Sequence, residues 1–531
     1  MLSASHKPSS VLAPAALVMT SALLMVLSFP RFDLWPCAWF SLVPLLFALD
    51  GRKPLQAFRT AYGAGIVFFL GTINWLIHVT LPGMIMVVLY LALFFGLFGL
   101  FSSRLMRSQG MSLIALPAAW VTAEYLRSNL LTGFGWALIG YSQYKNLPII
   151  QIADITGVYG VSFLVVMVNV GIYRAIREIP GLKRTTGSGR SQRLKRLIAL
   201  FVIVTLSLFL VLSYGVRRIR TIYAGTPLKI AVIQGNIPQD EKWDARFKDR
   251  IMRQYERLTR DSLRESPDLV IWPETAVPGF LEEEKDLGQR VVAAAKEAGV
   301  PLLVGAPRKG TGDEYFNSAL LFSRTGALID SYDKVHLVPF GEYIPFRKVF
   351  SFVERFAPTP IGNFARGGRF TIFRFVFERQ SASEGVLLSR KKNIAFSCLI
   401  CFEDIFPELA RAYSLQGAQF LVNITNDAWF LKSSAPYQHA QASVFRAVET
   451  RLPVVRCANT GLSCFIDQKG RIFETVKNDQ ENIFVEGFKM HTLSLVRART
   501  WYSTVGDAFA FLSIAITVIG LSLPSVQRRS S

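Results

Sequence analysis

Cysteine, histidine and negative charge are scarce along this chain of 531 residues, which holds five Cys, five His and 38 acidic against 59 basic side chains. The five cysteines (Cys37, Cys398, Cys401, Cys457 and Cys464) are too few for a disulfide framework at this length, and their odd number leaves a thiol over within one chain. A zinc ribbon needs two close pairs, and Cys457 and Cys464 have the wrong spacing with no useful His beside them. A redox pair at Cys398 and Cys401 meets a geometric objection, because residues three apart on a strand point to opposite faces. These absences argue against metal and redox chemistry, and no cofactor is expected. Charged residues make up only 18%, against 51% hydrophobic. That balance and a mean hydropathy of +0.32 exclude a wholly soluble protein. No internal repeat of solenoid or propeller period is present.

What is present is a series of apolar runs around a water-soluble block. Spans are expected at about 11–29, 34–49, 60–80, 84–101, 111–126, 158–173, 197–214 and 508–523, with 34–49 and 111–126 marginal in length. The net charge of +21 points first to nucleic acid, but its placement points to topology. The connections 1–10, 50–59, 102–110, 174–196 and 524–531 hold 16 basic residues against Asp50 and Glu178. In 30–33, 81–83 and 124–157, Arg31, Arg127 and Lys145 cancel Asp33, Glu124 and Asp154. By the positive-inside rule the first set is cytoplasmic, so both termini lie inside. The first span reads as an uncleaved anchor, since Ser28-Phe29-Pro30-Arg31 is a poor cleavage site. Arg174 to Arg196, with Thr185-Thr186-Gly187-Ser188-Gly189, is expected to be a flexible basic loop. The domains expected are a seven-span bundle over 1–214, an outer catalytic domain over 215–507, and a last span with a short tail over 508–531.

The outer block alternates between strand and helix patterns. Leu228–Gln234, Asp268–Trp272, Pro301–Gly305, Ile394–Ile400, Phe420–Thr425 and Pro453–Cys457 read as short buried strands. Trp243, Phe247, Ile251, Tyr255 and Leu258 mark one face of a helix, and further helices are expected over about 284–299, from Asp404, and over 436–450. Leu462–Glu474 reads as a hairpin turning at Lys469-Gly470, and the polar stretch Gln380–Lys392 as a surface loop. Such alternation builds a layered α/β domain whose active groups gather at the carboxyl ends of strands.

Three residues sit at such ends: Glu274 after Ile-Trp-Pro, Lys334 in Asp-Lys-Val-His, and Cys401 in Cys-Leu-Ile-Cys-Phe-Glu. Singly, a strand-end Cys is usually packing and a lone Lys a surface residue. Combined, they suggest thiol acyl chemistry. Glu274 can take the thiol proton, Lys334 and the Phe402 N–H can hold an oxyanion, and a helix opened by Glu403-Asp404 would favour thiolate. His336 and His439 are isolated in sequence and read as ordinary.

These runs resemble the Glu-Lys-Cys triad of the nitrilase (carbon–nitrogen hydrolase) superfamily. The whole chain is similar to its membrane branch, which acylates bacterial lipoproteins. Gln234-Gly235-Asn236-Ile237-Pro238-Gln239 with Trp243, Glu124-Tyr125-Leu126-Arg127, and Thr132-Gly133-Phe134-Gly135-Trp136 extend the likeness. The resemblance implies a multi-pass α-helical membrane bundle plus an α/β nitrilase-like αββα sandwich. It makes Glu274 the general base, Lys334 the stabiliser of the intermediate and Cys401 the acyl-carrying nucleophile. Glu342 would be a second active-site carboxylate, Glu403 the acid after the nucleophile and Trp243 a substrate-side aromatic. Phe402 stands where many members have Tyr, which leaves it a packing role. The partners implied are a phospholipid acyl donor and an apolipoprotein whose diacylglyceryl-Cys accepts the acyl chain on its α-amino group. The setting implied is the bacterial inner membrane, with the catalytic domain outside and the protein a monomer that binds no nucleic acid.

Two other readings compete with this one. A membrane-tethered amidase would use the same triad but has no need of seven preceding spans. A carrier with an inert cap would need polar residues deep in several spans, and those are scarce. Phe340, Phe346, Phe350, Phe352, Phe356 and Phe364 interleave with Arg347, Lys348, Arg355 and Arg366 after the lysine, either as a packed loop or as a lid that dips into the headgroups. Glu124 and Arg127 are expected to face the bundle interior and to line the floor of a lipid access path, or to form an ordinary interfacial pair.

Overall fold

The computed structural model describes residues 12–107, 111–184, 186–310, 312, 314–343, 363–383, 386–496 and 498–523. The expected lid residues Phe346, Arg347, Lys348, Phe350, Phe352, Arg355 and Phe356 lie outside them, as do Lys7, Arg528 and Arg529.

The first part is a helical bundle: α1 (Leu12–Leu27), α2 (Val43–Leu49), α3 (Pro54–Thr72), α4 (Leu81–Leu105), α5 (Ser112–Asn129), α6 (Val158–Arg184) and α7 (Gly187–Arg220). Proline in the first turn starts α2, α3 and α4, where its missing N–H costs no helical bond. Small residues let α3 and α4 lie close. A side chain at Gly99 would run into the Ala57 backbone and the Ala61 methyl, and one at Gly65 into Ala92 and Phe95.

Each expected span falls on helix, though not with the expected extents. Among the described residues, the helices Leu81–Leu105, Val158–Gly181 and Gly187–Arg220 are long and apolar enough to cross a membrane. The 34–49 segment is a 3-10 turn, Trp35–Trp39, followed by α2. The 60–80 segment begins earlier, at Pro54, so Arg59 sits within α3, and it ends in a second 3-10 turn, Asn74–His78. The basic stretch 174–196 is not a flexible loop. α6 runs to Arg184 and α7 starts at Gly187, so helix carries almost all of it. The glycines that suggested flexibility open α7, with Gly187 at φ +60.

The second part has two six-stranded sheets. The strands are β1 (Thr226–Gln234), β2 (Leu269–Ile271), β3 (Leu302–Lys309), β4 (Tyr315–Phe322), β5 (Leu328–Asp333), β6 (Phe373–Ser383), β7 (Val386–Ile400), β8 (Phe420–Thr425), β9 (Val454–Ala458), β10 (Cys464–Ile466), β11 (Ile472–Phe473) and β12 (Gly487–Leu495). One sheet has the order β12-β1-β2-β3-β4-β5 and the other β11-β10-β9-β8-β7-β6. Parallel pairs at the middle of each need crossovers, which α8 (Lys248–Leu263) and α9 (Lys285–Ala298) supply on one side. On the other side α10 (Pro407–Leu415) and α11 (Ala435–Thr450) do so.

Side-chain alternation along β1 shows the layering. Leu228, Ile230 and Val232 enter the core shared with the second sheet, while Ala231 and Ile233 enter the core under α8 and α9. The result is the expected αββα sandwich. The chain then returns to the bundle as α12 (Ala508–Ser522), where Thr517 Oγ1 lies 3.0 Å from Thr122 Oγ1 of α5.

Three local expectations need correction. Trp243 is 46% exposed and precedes α8, whose buried face is carried by Ile251, Tyr255 and Leu258. Gln380–Lys392 is not a loop but part of the β6–β7 hairpin, paired in register from Phe373↔Phe396 to Ser383↔Val386. The helix after Cys401 begins at Pro407, behind a one-turn 3-10 segment, Cys401–Ile405.

The sandwich sits on the bundle through buried polar contacts. Arg451 donates to Asp154 Oδ2 at 2.7 Å and to Gln151 Oε1 at 2.6 Å, and Gln151 donates to Lys469 O at 2.9 Å. Gly133 and Gly135 lie so close to the turn that follows Cys401 that a Cβ there would press on Phe406 and the Ile405 carbonyl.

Candidate active site

Glu274 follows β2, Lys334 follows β5 and Cys401 follows β7, so three strand ends deliver the three groups. Lys334 is 1% exposed, with its Nζ 2.9 Å from Glu342 Oε1 and 3.7 Å from Glu274 Oε1. Asn317 of β4 bridges the carboxylates, donating to Glu274 Oε1 at 2.7 Å and to Glu342 Oε1 at 2.9 Å. Burial opposes the Lys334 charge, but Glu342, Cys401 and Glu274 outweigh it and raise its pKa. The lysine is therefore a fixed cation with two carboxylates beside it.

Cys401 sits on an elbow at φ +56, a left-handed conformation that a side chain adopts only under constraint. Asn423 Nδ2 donates to the carbonyls of Leu399, at 3.2 Å, and Cys401, at 2.8 Å. Burial pushes the Cys401 thiol well above its ordinary value, the Glu274 carboxylate pushes the same way, and Lys334 pulls back. The resting sulfur is thus a thiol awaiting a base. A thiolate favoured by a helix N-terminus was expected, but the segment that starts at Cys401 is a single 3-10 turn.

Glu403 accepts from Ile400 N at 2.8 Å, Val335 N at 2.8 Å, His336 N at 2.9 Å and Tyr332 Oη at 2.9 Å. One carboxylate thus anchors both the backbone beside Cys401 and the backbone beside Lys334. Phe402 lies under the Lys334 cation, with Nζ 5.4 Å from the ring centroid. Glu342 Oε2 also accepts from Val338 N at 2.8 Å. Trp243 stands exposed next to the buried Lys242. Glu124 and Arg127 do face the bundle interior: Glu124 accepts from Ile139 N at 2.7 Å, and Arg127 donates to Trp136 O at 2.5 Å.

Several site residues were missed in the sequence. Lys242 is 1% exposed and donates to the Glu274 carbonyl at 3.1 Å, and burial brings its pKa down to about 7. Its one cue was adjacency to Trp243. Asn317 lies on a strand whose pattern was not recognised. His439 is far from ordinary. It is 1% exposed, with Nδ1 3.1 Å from Asp427 Oδ1, and Nε2 2.9 Å from Asp404 Oδ1 and 3.1 Å from Cys401 O. His336 stacks on Phe406 with centroids 3.6 Å apart, and burial lowers it to about 4. All five cysteines are free, and Cys457 donates to the carbonyls of Ile233 and Ile271, each at 3.3 Å. Among the described residues no group of three or more His, Cys, Asp or Glu side chains is arranged to hold a metal ion.

Burial opposes the His439 charge, but Asp404 outweighs it, with Asp427 adding to the effect and Arg456 opposing, and the pKa rises from 6.5 to about 9. Its stabilising contribution is then complete below about pH 6.5 and lost as pH rises through about 9. Thermal melting is expected to decline over that window in the wild-type protein, and His439→Asn to flatten the decline. An unchanged slope in the variant would refute the assignment.

Residues 21–171 match the family model of the apolipoprotein N-acyltransferase N-terminal domain, and residues 229–498 that of carbon-nitrogen hydrolase. An apolipoprotein N-acyltransferase of Geobacter metallireducens is 38% identical over 96% of this chain and 95% of its own. One from Chlorobaculum tepidum is 29% identical over 97% of each. The chain belongs to the apolipoprotein N-acyltransferase family. It is a membrane-associated N-acyltransferase of lipoprotein maturation, built on a carbon–nitrogen hydrolase domain. A solved amidase from Nesterenkonia sp. aligns with 52% of this chain and 92% of its own at 19% identity and a TM-score of 0.36.

Proposed function

We propose that Cys401 carries the acyl group as a thioester, taken from a membrane phospholipid and passed to the α-amino group of the diacylglyceryl-Cys of an apolipoprotein. Glu274 removes the Sγ proton as sulfur attacks the ester carbonyl. Lys334 Nζ and the Phe402 N–H face the resulting oxyanion. Collapse expels the lysophospholipid alkoxide, which takes the proton from Glu274. The acceptor amine then attacks the thioester, Glu274 takes its proton, and the sulfur leaves and is reprotonated. Glu342 and Asn317 hold Lys334 and Glu274 in register, while Glu403 holds the two loops. The carrying observation is the convergence of Glu274, Lys334 and Cys401 from three separate strand ends beside a bundle loop.

That loop supports a lipid donor. Leu130 and Leu131 are 48% and 73% exposed in the segment that abuts Phe406, so apolar surface reaches the nucleophile turn from the bundle side. The loop charges support a sandwich on the outer face of the bacterial inner membrane, with the bundle over 1–214 and the last span from 508 beneath it. The enzyme works as a monomer.

Intact-protein mass spectrometry after incubation with phospholipid vesicles tests the scheme. A single acyl mass on Cys401 is expected, discharged by a diacylglyceryl-Cys peptide with N-acylation of that peptide. Cys401→Ala is expected to gain no mass. Release of free fatty acid without peptide acylation, or an adduct that survives Cys401→Ala, would refute it.

A further inference from the structure

We propose that Gln438 and His439, consecutive on α11, are positioning residues that tie the membrane bundle to the nucleophile. The bundle grips Gln438, and His439 grips the carbonyl of Cys401. The inference rests on the reading of Cys401 as the nucleophile.

The Cys401 elbow is strained at φ +56 and holds only if its surroundings fix it. Two side chains meet its carbonyl oxygen, Asn423 at 2.8 Å and His439 Nε2 at 3.1 Å. The His439 partners are acceptors on both sides: the Asp427 carboxylate at Nδ1, and the Cys401 carbonyl with Asp404 at Nε2. Both ring nitrogens must therefore carry hydrogen, and the imidazolium is a double donor pinned between fixed acids. Arg456 and Ser443 fix Asp404 Oδ2 in turn.

Gln438 is 5% exposed and its amide is saturated by the bundle. Its Oε1 accepts from the indoles of Trp75 at 3.0 Å and Trp136 at 2.8 Å. Its Nε2 donates to Pro30 O and Thr72 O, both at 2.9 Å. A primary amide accepts twice and donates twice, and here the bundle supplies a partner for all four. Consecutive helical residues point about 100° apart, so one helix turn presents Gln438 to the bundle and His439 to the elbow. Trp136 also faces the His439 ring, with centroids 5.4 Å apart. A shift of the bundle indoles therefore moves α11, and with it the carbonyl that sets the direction of the sulfur.

The test uses the full chain in phospholipid nanodiscs. It measures the single-turnover rate of Cys401 thioester formation, the KM for donor, and the rate at which iodoacetamide alkylates Cys401, with melting as a fold control. Gln438→Leu and His439→Asn are expected to slow thioester formation at saturating donor by about tenfold or more, with KM little changed, because misplacing a nucleophile by about 1 Å costs up to about a hundredfold. Alkylation of Cys401 should slow in parallel. Trp75→Phe keeps an aromatic ring but removes the N–H donor to Gln438 along with part of the indole, so it tests the link where the other variants fail to fold, and a several-fold slowing is expected. Folded variants that acylate and alkylate at the wild-type rate, even with lowered melting temperature, would show that these contacts are merely structural. A wild-type chain with no adduct on Cys401 would instead overturn the nucleophile assignment itself.

Discussion

Replacing Lys334 with Met is expected to abolish thioester formation on Cys401, a loss of about a thousandfold, and to cost about 3–5 kcal/mol of stability. Both effects have one cause. Lys334 is 1% exposed and is the cation against which Glu274 and Glu342 are buried, at 3.7 and 2.9 Å. Without it two carboxylates share a closed site, and the developing oxyanion meets negative rather than positive potential. Adding Glu342→Gln to the Met variant should recover part of the stability and none of the activity, which separates the two effects. Lys334→Arg should not rescue, because a planar guanidinium cannot occupy a point-charge site bounded by Phe402, 5.4 Å away, and Asn317. Thioester yield by mass spectrometry and melting by fluorescence report the two quantities. A Met variant that still forms thioester would remove Lys334 from the mechanism.

The sequence made Glu274 and Cys401 legible because each follows a short apolar strand, and near-continuous apolar runs such as Leu228–Gln234 and Phe420–Thr425 are strong local signals. The sheet edges were harder. β5 and β12 are only partly buried, and the β6–β7 hairpin is polar in sequence over much of its length, so strand pairing rather than hydrophobicity fixes them. Buried polar residues were hardest of all. His439 lies 38 residues from Cys401 and Asn317 lies 43 from Glu274, and nothing in either one's local pattern reports its long-range partner. Lys242 illustrates the same limit, since a buried lysine looks like a surface one until the fold encloses it. The break between α6 and α7 failed for a different reason. Glycine and serine read as a loop, but α6 continues to Arg184 and α7 already begins at Gly187.

Glu403→Gln is expected to be more damaging than Glu403→Ala, although Gln is the closer isostere. Four donors converge on this carboxylate: Val335 N and His336 N on Oε1, Ile400 N on Oε2, and Tyr332 Oη on both. An amide must turn its NH2 toward one side or the other, setting donor against donor in either rotamer. Alanine leaves the same donors unpaired but leaves room for water among them. The Gln variant is expected to lose about 2–4 kcal/mol of stability and nearly all thioester formation. The reason for the second loss is that Val335 follows Lys334 and Ile400 precedes Cys401. Acid should imitate the effect of the substitution on activity, though not on stability, in the wild-type protein. Burial pushes the Glu403 carboxyl from 4.5 to about 7, against its backbone donors and Lys334. Thioester formation should therefore fall as pH drops below about 7. The folded state binds this proton more tightly than the unfolded chain, so between about pH 7 and 4.5 protonation of Glu403 itself adds stability, and activity is lost without unfolding. Melting and thioester rates followed across that range in parallel decide the matter. Activity that falls only together with melting, or a Gln variant milder than Ala, would show that Glu403 does not organise the two loops.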